Sequence, residues 1–136
     1  MGRLQRYMGA AALVAAATVL AAPAARAHGT PGLKGGTLET VLDEWTLGFR
    51  QVNVKSGVLV LHAVNTGRAP HNIAVRPRGR RQASYTSRVL APGESLEVQI
   101  NVAAGTYELY CAVPGHRERG MIAAMTVGAA APGGGY

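Results

Sequence analysis

A single cysteine, Cys111, opens the segment Cys-Ala-Val-Pro-Gly-His-Arg-Glu-Arg-Gly-Met, which runs from residue 111 to 121. It sets a thiol, an imidazole and a thioether in line, with four residues in each gap. Soft and borderline donors of this kind share one obvious use, the binding of a soft metal ion. That use constrains the fold, because three side chains must turn back onto one point. Pro114 and Gly115 can reverse the chain between Cys111 and His116, and Gly120 permits a second reversal before Met121.

The chain around this segment reads as β structure. Leu96, Val98, Ile100 and Val102 alternate with Glu97, Gln99, Asn101 and Ala103, the period of a half-buried strand, and Ala91-Pro92-Gly93-Glu94 introduces it as a turn. Residues 58–64 are apolar on both faces and end at Asn65-Thr66-Gly67, which predicts a central strand. Residues 105–111 place Tyr107, Leu109 and Cys111 on one face, so the thiol points inward from a strand end. Residues 121–127 supply another strand, with Met125 in the core. Residues 80–89 are the least regular and read as a loop or a short helix. Short strands, frequent turns and no sustained helical period make the chain all-β, a sandwich or a small barrel.

At 136 residues there is room for one domain. Residues 1–27 read as a cleavable secretory signal. Arg3 and Arg6 make a basic start, residues 8–22 are an apolar run, and Ala25-Arg26-Ala27 has the small-x-small form of a cleavage site. The run, about 15 residues, is short of the roughly 20 that a spanning helix needs, so a retained anchor is the lesser alternative. No adjacent arginine pair asks for twin-arginine export, which leaves a Sec-type route to the periplasm or the exterior. Residues 28–36 then form a Gly/Pro-rich flexible leader, 37–127 the folded domain, and 128–136 a low-complexity tail. Loss of the signal removes three arginines and no acid, lowering the formal net charge from +7 to +4. In an oxidising compartment structural cysteines come in pairs, so a lone thiol there needs a reason such as a metal.

A fourth ligand has to come from His28, His62 or His71. His28 lies in the leader, and would be N-terminal after cleavage, where amine and imidazole can chelate copper. His62 sits mid-strand and reads as a satisfied core or edge histidine. His71, between Pro70 and Asn72 at a strand–loop junction, is the choice. One cysteine, two histidines and a weak axial methionine make a trigonal electron-transfer copper site. Zinc binds Cys/His sites as well, but a single thiolate is a poor structural zinc site and a methionine adds little.

Pro70-His71-Asn72-Ile73, followed by Tyr110 to His116 and Gly120-Met121, resembles the cupredoxin family of small blue copper proteins over about residues 38–127. The long ligand loop is similar to rusticyanin, sulfocyanin and auracyanin, whereas plastocyanin has a shorter Cys-to-His gap. The resemblance implies a Greek-key β-sandwich holding one type 1 copper ion. His71 and His116 would bind through Nδ1, Cys111 as the short thiolate bond and Met121 as the long axial one. Asn72 would tie the two ligand loops together, and Pro114, having no N–H, would remove a donor near the sulfur. Azurin-type sites carry a glycine where this chain has Pro70, so their fifth contact does not transfer.

The resulting expectation is a monomeric one-electron carrier cycling Cu(II)/Cu(I), passing electrons through the edge of His116 to a redox protein such as a cytochrome or an oxidase. A copper-sequestering or copper-delivering protein is the alternative. No acid/base or nucleophile constellation supports an enzyme, and His28 and His62 are too few for a multicopper oxidase. Arg76, Arg78, Arg80, Arg81 and Arg88 form the strongest charge cluster, either solvated or facing an acidic partner or anionic surface. Nucleic acid is not a partner for an exported protein. Arg117 and Arg119, inside the ligand loop, stand closer to the metal and to partner choice.

Overall fold

The computed structural model describes residues 31–129, so the signal segment, His28 and residues 130–136 lie outside the described residues. Nine strands follow one another: β1 (Gly32–Lys34), β2 (Thr37–Leu42), β3 (Gln51–Lys55), β4 (Gly57–Asn65), β5 (Ala74–Pro77), β6 (Tyr85–Thr86), β7 (Ser95–Val102), β8 (Gly105–Tyr110) and β9 (Ile122–Gly128). They build two mixed sheets, ordered β1-β2-β4-β7 and β3-β9-β8-β5-β6. The fold is the expected all-β sandwich, and no helix occurs among the described residues.

Alternation explains the packing. Leu38, Thr40 and Leu42 of β2, Val52 and Val54 of β3, and Ala123, Met125 and Val127 of β9 are buried, and their neighbours along each strand are not. A strand with one apolar face must lay it against a second sheet, and full burial of each Leu or Met contributes about 1.5–3 kcal/mol. β4 is central as expected, parallel to β2 and antiparallel to β7.

Residues 32–34, inside the stretch that composition assigns to a leader, pair antiparallel with β2 as β1. Residues 80–89 form loop with the two-residue strand β6, not a helix. The arginine cluster is divided: Arg76 is bound by Glu108 and Arg88 by Glu94, and Arg78, Arg80 and Arg81 remain exposed.

The registers fix which loops meet. β2 and β4 run parallel and end together at Leu42↔Asn65, and β8 ends where β9 begins, at Tyr110↔Ile122. Residues 43–50, 66–73, 87–94 and 111–121 therefore gather at one end of the sandwich. Buried Asn65 fastens two of these connections, 66–73 and 87–94. Its Nδ2 donates to Ala69 O and Leu90 O, both at 2.9 Å, and its Oδ1 accepts Gly67 N–H at 2.9 Å.

Candidate metal centre

Each donor side chain is placed by a short backbone device. His71 forms an isolated antiparallel bridge with Leu90, with N–H donated each way at 3.1 and 2.7 Å. Cys111 continues β8 by one residue and donates its N–H to Met121 O at 3.1 Å. Between them the chain makes tight turns, His116 N–H to Val113 O at 3.1 Å and Arg119 N–H to His116 O at 3.2 Å. Gly115 and Gly120 take φ of 82° and 119°, backbone that L side chains rarely adopt. Met121 N–H returns to His116 O at 3.2 Å, closing the loop on itself.

Three donor atoms converge. His71 Nδ1 lies 3.1 Å from His116 Nδ1, and Cys111 Sγ lies 3.9 Å from the first and 3.5 Å from the second. All lie within 4.8 Å of one another. A borderline metal sits about 2.0 Å from imidazole nitrogen and about 2.3 Å from thiolate sulfur. At trigonal angles such an ion separates the nitrogens by roughly 3.1–3.5 Å and sulfur from nitrogen by roughly 3.5–3.9 Å. The donor spacings match those values, so the residues fit the ion. Cys111, His71 and Met121 are fully buried and His116 is half-exposed, giving the site one open edge.

Around the donors the structure adds support. Asn72 N–H points at Cys111 Sγ at 3.4 Å, and its Oδ1 accepts Ala112 N–H at 2.7 Å, joining the loop before β5 to the loop after β8. Pro114 lies exposed at the outer turn of the ligand loop. His62 is away from the centre, on β4, with Nδ1 2.7 Å from Glu39 Oε2.

Two participants escaped sequence reasoning. Asp43 and Thr46 pair across a tight turn that carries Glu44 and Trp45 at its tip. His71 Nε2–H donates to Glu44 Oε1 at 2.9 Å, which fixes the tautomer and leaves Nδ1 with its lone pair toward the other donors. Glu44 also accepts N–H from Ala69 and Arg68. Chiefly through those two bonds, and then through His71, its carboxyl is held down to about 2. A Cβ at Gly67 would collide with this carboxylate and displace it. Trp45 packs edge-on against His116, 4.8 Å between centroids, and His71, 6.3 Å. Burial first, and then the neighbouring His71 and Arg119, push the His116 pKa down, favouring the neutral ligand form. Neither Glu44 nor Trp45 lies near the 111–121 segment in sequence. The signal they offered was an acidic residue and the sole tryptophan just past an apolar strand.

The profile of copper-binding proteins of the plastocyanin/azurin family matches residues 43–128. The chain belongs to that family. It is a cupredoxin, with His71, Cys111, His116 and Met121 arranged as a type 1 copper site. Among solved structures it is similar to dithionite-reduced auracyanin from the photosynthetic bacterium Roseiflexus castenholzii, at 23% identity and a TM-score of 0.61, over 68% of this chain and 97% of that one. Auracyanin B is similar at 23% identity and a TM-score of 0.60, over 68% and 88%. Reduced rusticyanin follows at 18% identity and 0.55, over 71% and 83%. These likenesses speak for the cupredoxin fold. No curated protein matches the sequence.

Proposed function

We propose that this cupredoxin is an exported one-electron carrier, periplasmic or secreted, that passes electrons between redox proteins. The observation that carries the reading is the convergence of His71 Nδ1, His116 Nδ1 and Cys111 Sγ beside Met121, with His116 the one of these four residues that is partly exposed. Copper bound there supplies Cu(II)/Cu(I) chemistry. The chain's own work is to hold the donors still: Glu44 sets His71, Asn72 braces Cys111, and the two turns of residues 113–121 set His116 and Met121. Pre-set donors reduce the rearrangement that accompanies a change of oxidation state. His71, His116, Cys111 and Met121 are the residues that would hold the ion.

Export rests on the signal-like residues 1–27, and burial of Cys111 within the donor set makes its lone thiol compatible with an oxidising compartment. The test loads the protein with Cu(II), records its visible spectrum, and mixes the reduced form with an oxidised cytochrome c. An intense thiolate-to-copper band and fast reversible exchange are expected. A colourless protein that holds only Cu(I) and surrenders it to a chelator would instead establish copper delivery.

A further inference from the structure

The ligand loop carries two arginines, and the structure separates their roles. Arg117 is spent internally: Nη2 donates to Glu108 at 3.3 Å, and its guanidinium lies 5.8 Å from the Tyr110 ring. Arg119 is exposed, forms no ion pair among the described residues, and rests 4.4 Å from the centroid of Trp45. Trp45 in turn meets His116 edge-on at 4.8 Å. Guanidinium, indole and imidazole thus adjoin in that order, at the edge where a donor residue reaches solvent.

The charges around this edge are unbalanced. Glu44 is turned onto His71 and the N–H groups of residues 68 and 69, and Glu94 is taken by Arg88 at 2.8 Å. Asp43 Oδ1 accepts Glu44 N–H, and Glu108 is shared by Arg76 and Arg117. Glu118 is exposed in the same loop but pairs with neither arginine among the described residues. Arg68, exposed on the loop that grips Glu44, is likewise without an ion pair among the described residues. The acids at this end are mostly occupied inside the molecule, whereas Arg119 and Arg68 form no ion pair among the described residues.

We propose that Arg119, resting on Trp45 next to His116, is the docking point for an acidic face of the redox partner. The inference rests on the one-electron-carrier reading and adds the partner's chemistry. A carboxylate on the partner meets a weakly hydrated guanidinium already resting against the indole, so less freedom is lost on contact. Small, charge-steered contacts of this kind suit redox encounters that must be both fast and brief.

The test has two arms. In the metal-free protein, hexacyanochromate(III), a paramagnetic and redox-inert trianion, is titrated while NMR line widths are followed. The Trp45 indole N–H and the Arg119 amide are expected to broaden first. Arg119→Gln should remove that broadening, and Trp45→Leu should weaken it where Trp45→Phe does not. Broadening centred on Arg78, Arg80 and Arg81 would overturn the assignment. In the copper-loaded protein, oxidation of the reduced form is timed with hexacyanoferrate(III) and with tris(phenanthroline)cobalt(III). Arg119→Gln should slow the anion about fivefold at low salt, with no slowing of the cation and the visible band unmoved. Equal slowing with both reagents, or none with the anion, overturns the proposal. A wild-type protein with no blue band overturns the carrier reading instead, and the line broadening of the first arm then decides docking by itself.

Discussion

Two histidines in this protein each hold a glutamate, at nearly the same distance, and only one belongs to a metal centre. His62 meets Glu39 at 2.7 Å on the outer face of a sheet, where β2 and β4 place the two directly opposite one another. His71 meets Glu44 at 2.9 Å across two loops at the end of the sandwich. The difference lies in which nitrogen is used. His62 spends Nδ1 on its carboxylate, whereas His71 spends Nε2 and keeps Nδ1 for His116 and Cys111. Burial separates them as well, since the His62 side chain keeps 29% of its surface exposed and that of His71 keeps none. A His–carboxylate pair is therefore not a ligand signature by itself. It becomes one when the carboxylate orients the ring so that its free nitrogen faces other donors.

The comparison can be broken most severely at Cys111. Cys111→Ser is expected to abolish the intense visible band of the Cu(II) protein, because no thiolate remains; colour surviving in that variant would remove Cys111 from the donor set. Asn65→Ala comes next. It strips the amide that fastens the loop of His71 to the loop of Leu90, and urea unfolding of the metal-free protein should show a loss of about 2 kcal/mol. The His62–Glu39 pair should survive that change, since its strands do not depend on those loops.

Glu44→Gln tests the orienting carboxylate directly. Copper affinity should fall about 10–100-fold in competition with a chelator, and the reduction potential should rise as a negative charge beside His71 is lost. An unchanged potential and affinity would reduce Glu44 to a loop clasp. The smallest effect belongs to the other pair. Glu39→Gln should cost under about 1 kcal/mol in the same unfolding assay and leave the visible spectrum unaltered, as expected of a partly exposed pair.

Much of the architecture is legible in the chain because strand periodicity is local. Residues 96–102 show their alternation openly, and they form β7. The run at 58–64 announces an interior strand, and β4 lies between β2 and β7, although its outer face is not buried: Val58 is exposed and Val60 and His62 are half-buried. β1 is hidden by Gly32 and by Gly35 and Gly36 just after it, and the short β6 by flanking arginines and polar residues that carry no period. The ligand loop is legible for the same reason: Cys111, His116 and Met121 stand within eleven residues, and Pro114, Gly115 and Gly120 mark the reversals.

The sequence by itself determined the donor types, their spacing on one loop, the inward phase of Cys111 and the choice of His71 over His62. The tertiary structure alone decided what stands around them. Glu44 and Trp45 are 27 and 71 residues from His71 and His116 and reach the centre because β2 and β4 run parallel and end together. The same folding sorted the arginines, spending Arg76 and Arg117 on Glu108 and leaving Arg119 on Trp45 with no ion pair among the described residues. Local pattern specifies which groups a chain carries to a site. The long-range register between strands decides which of them are already engaged when a partner arrives.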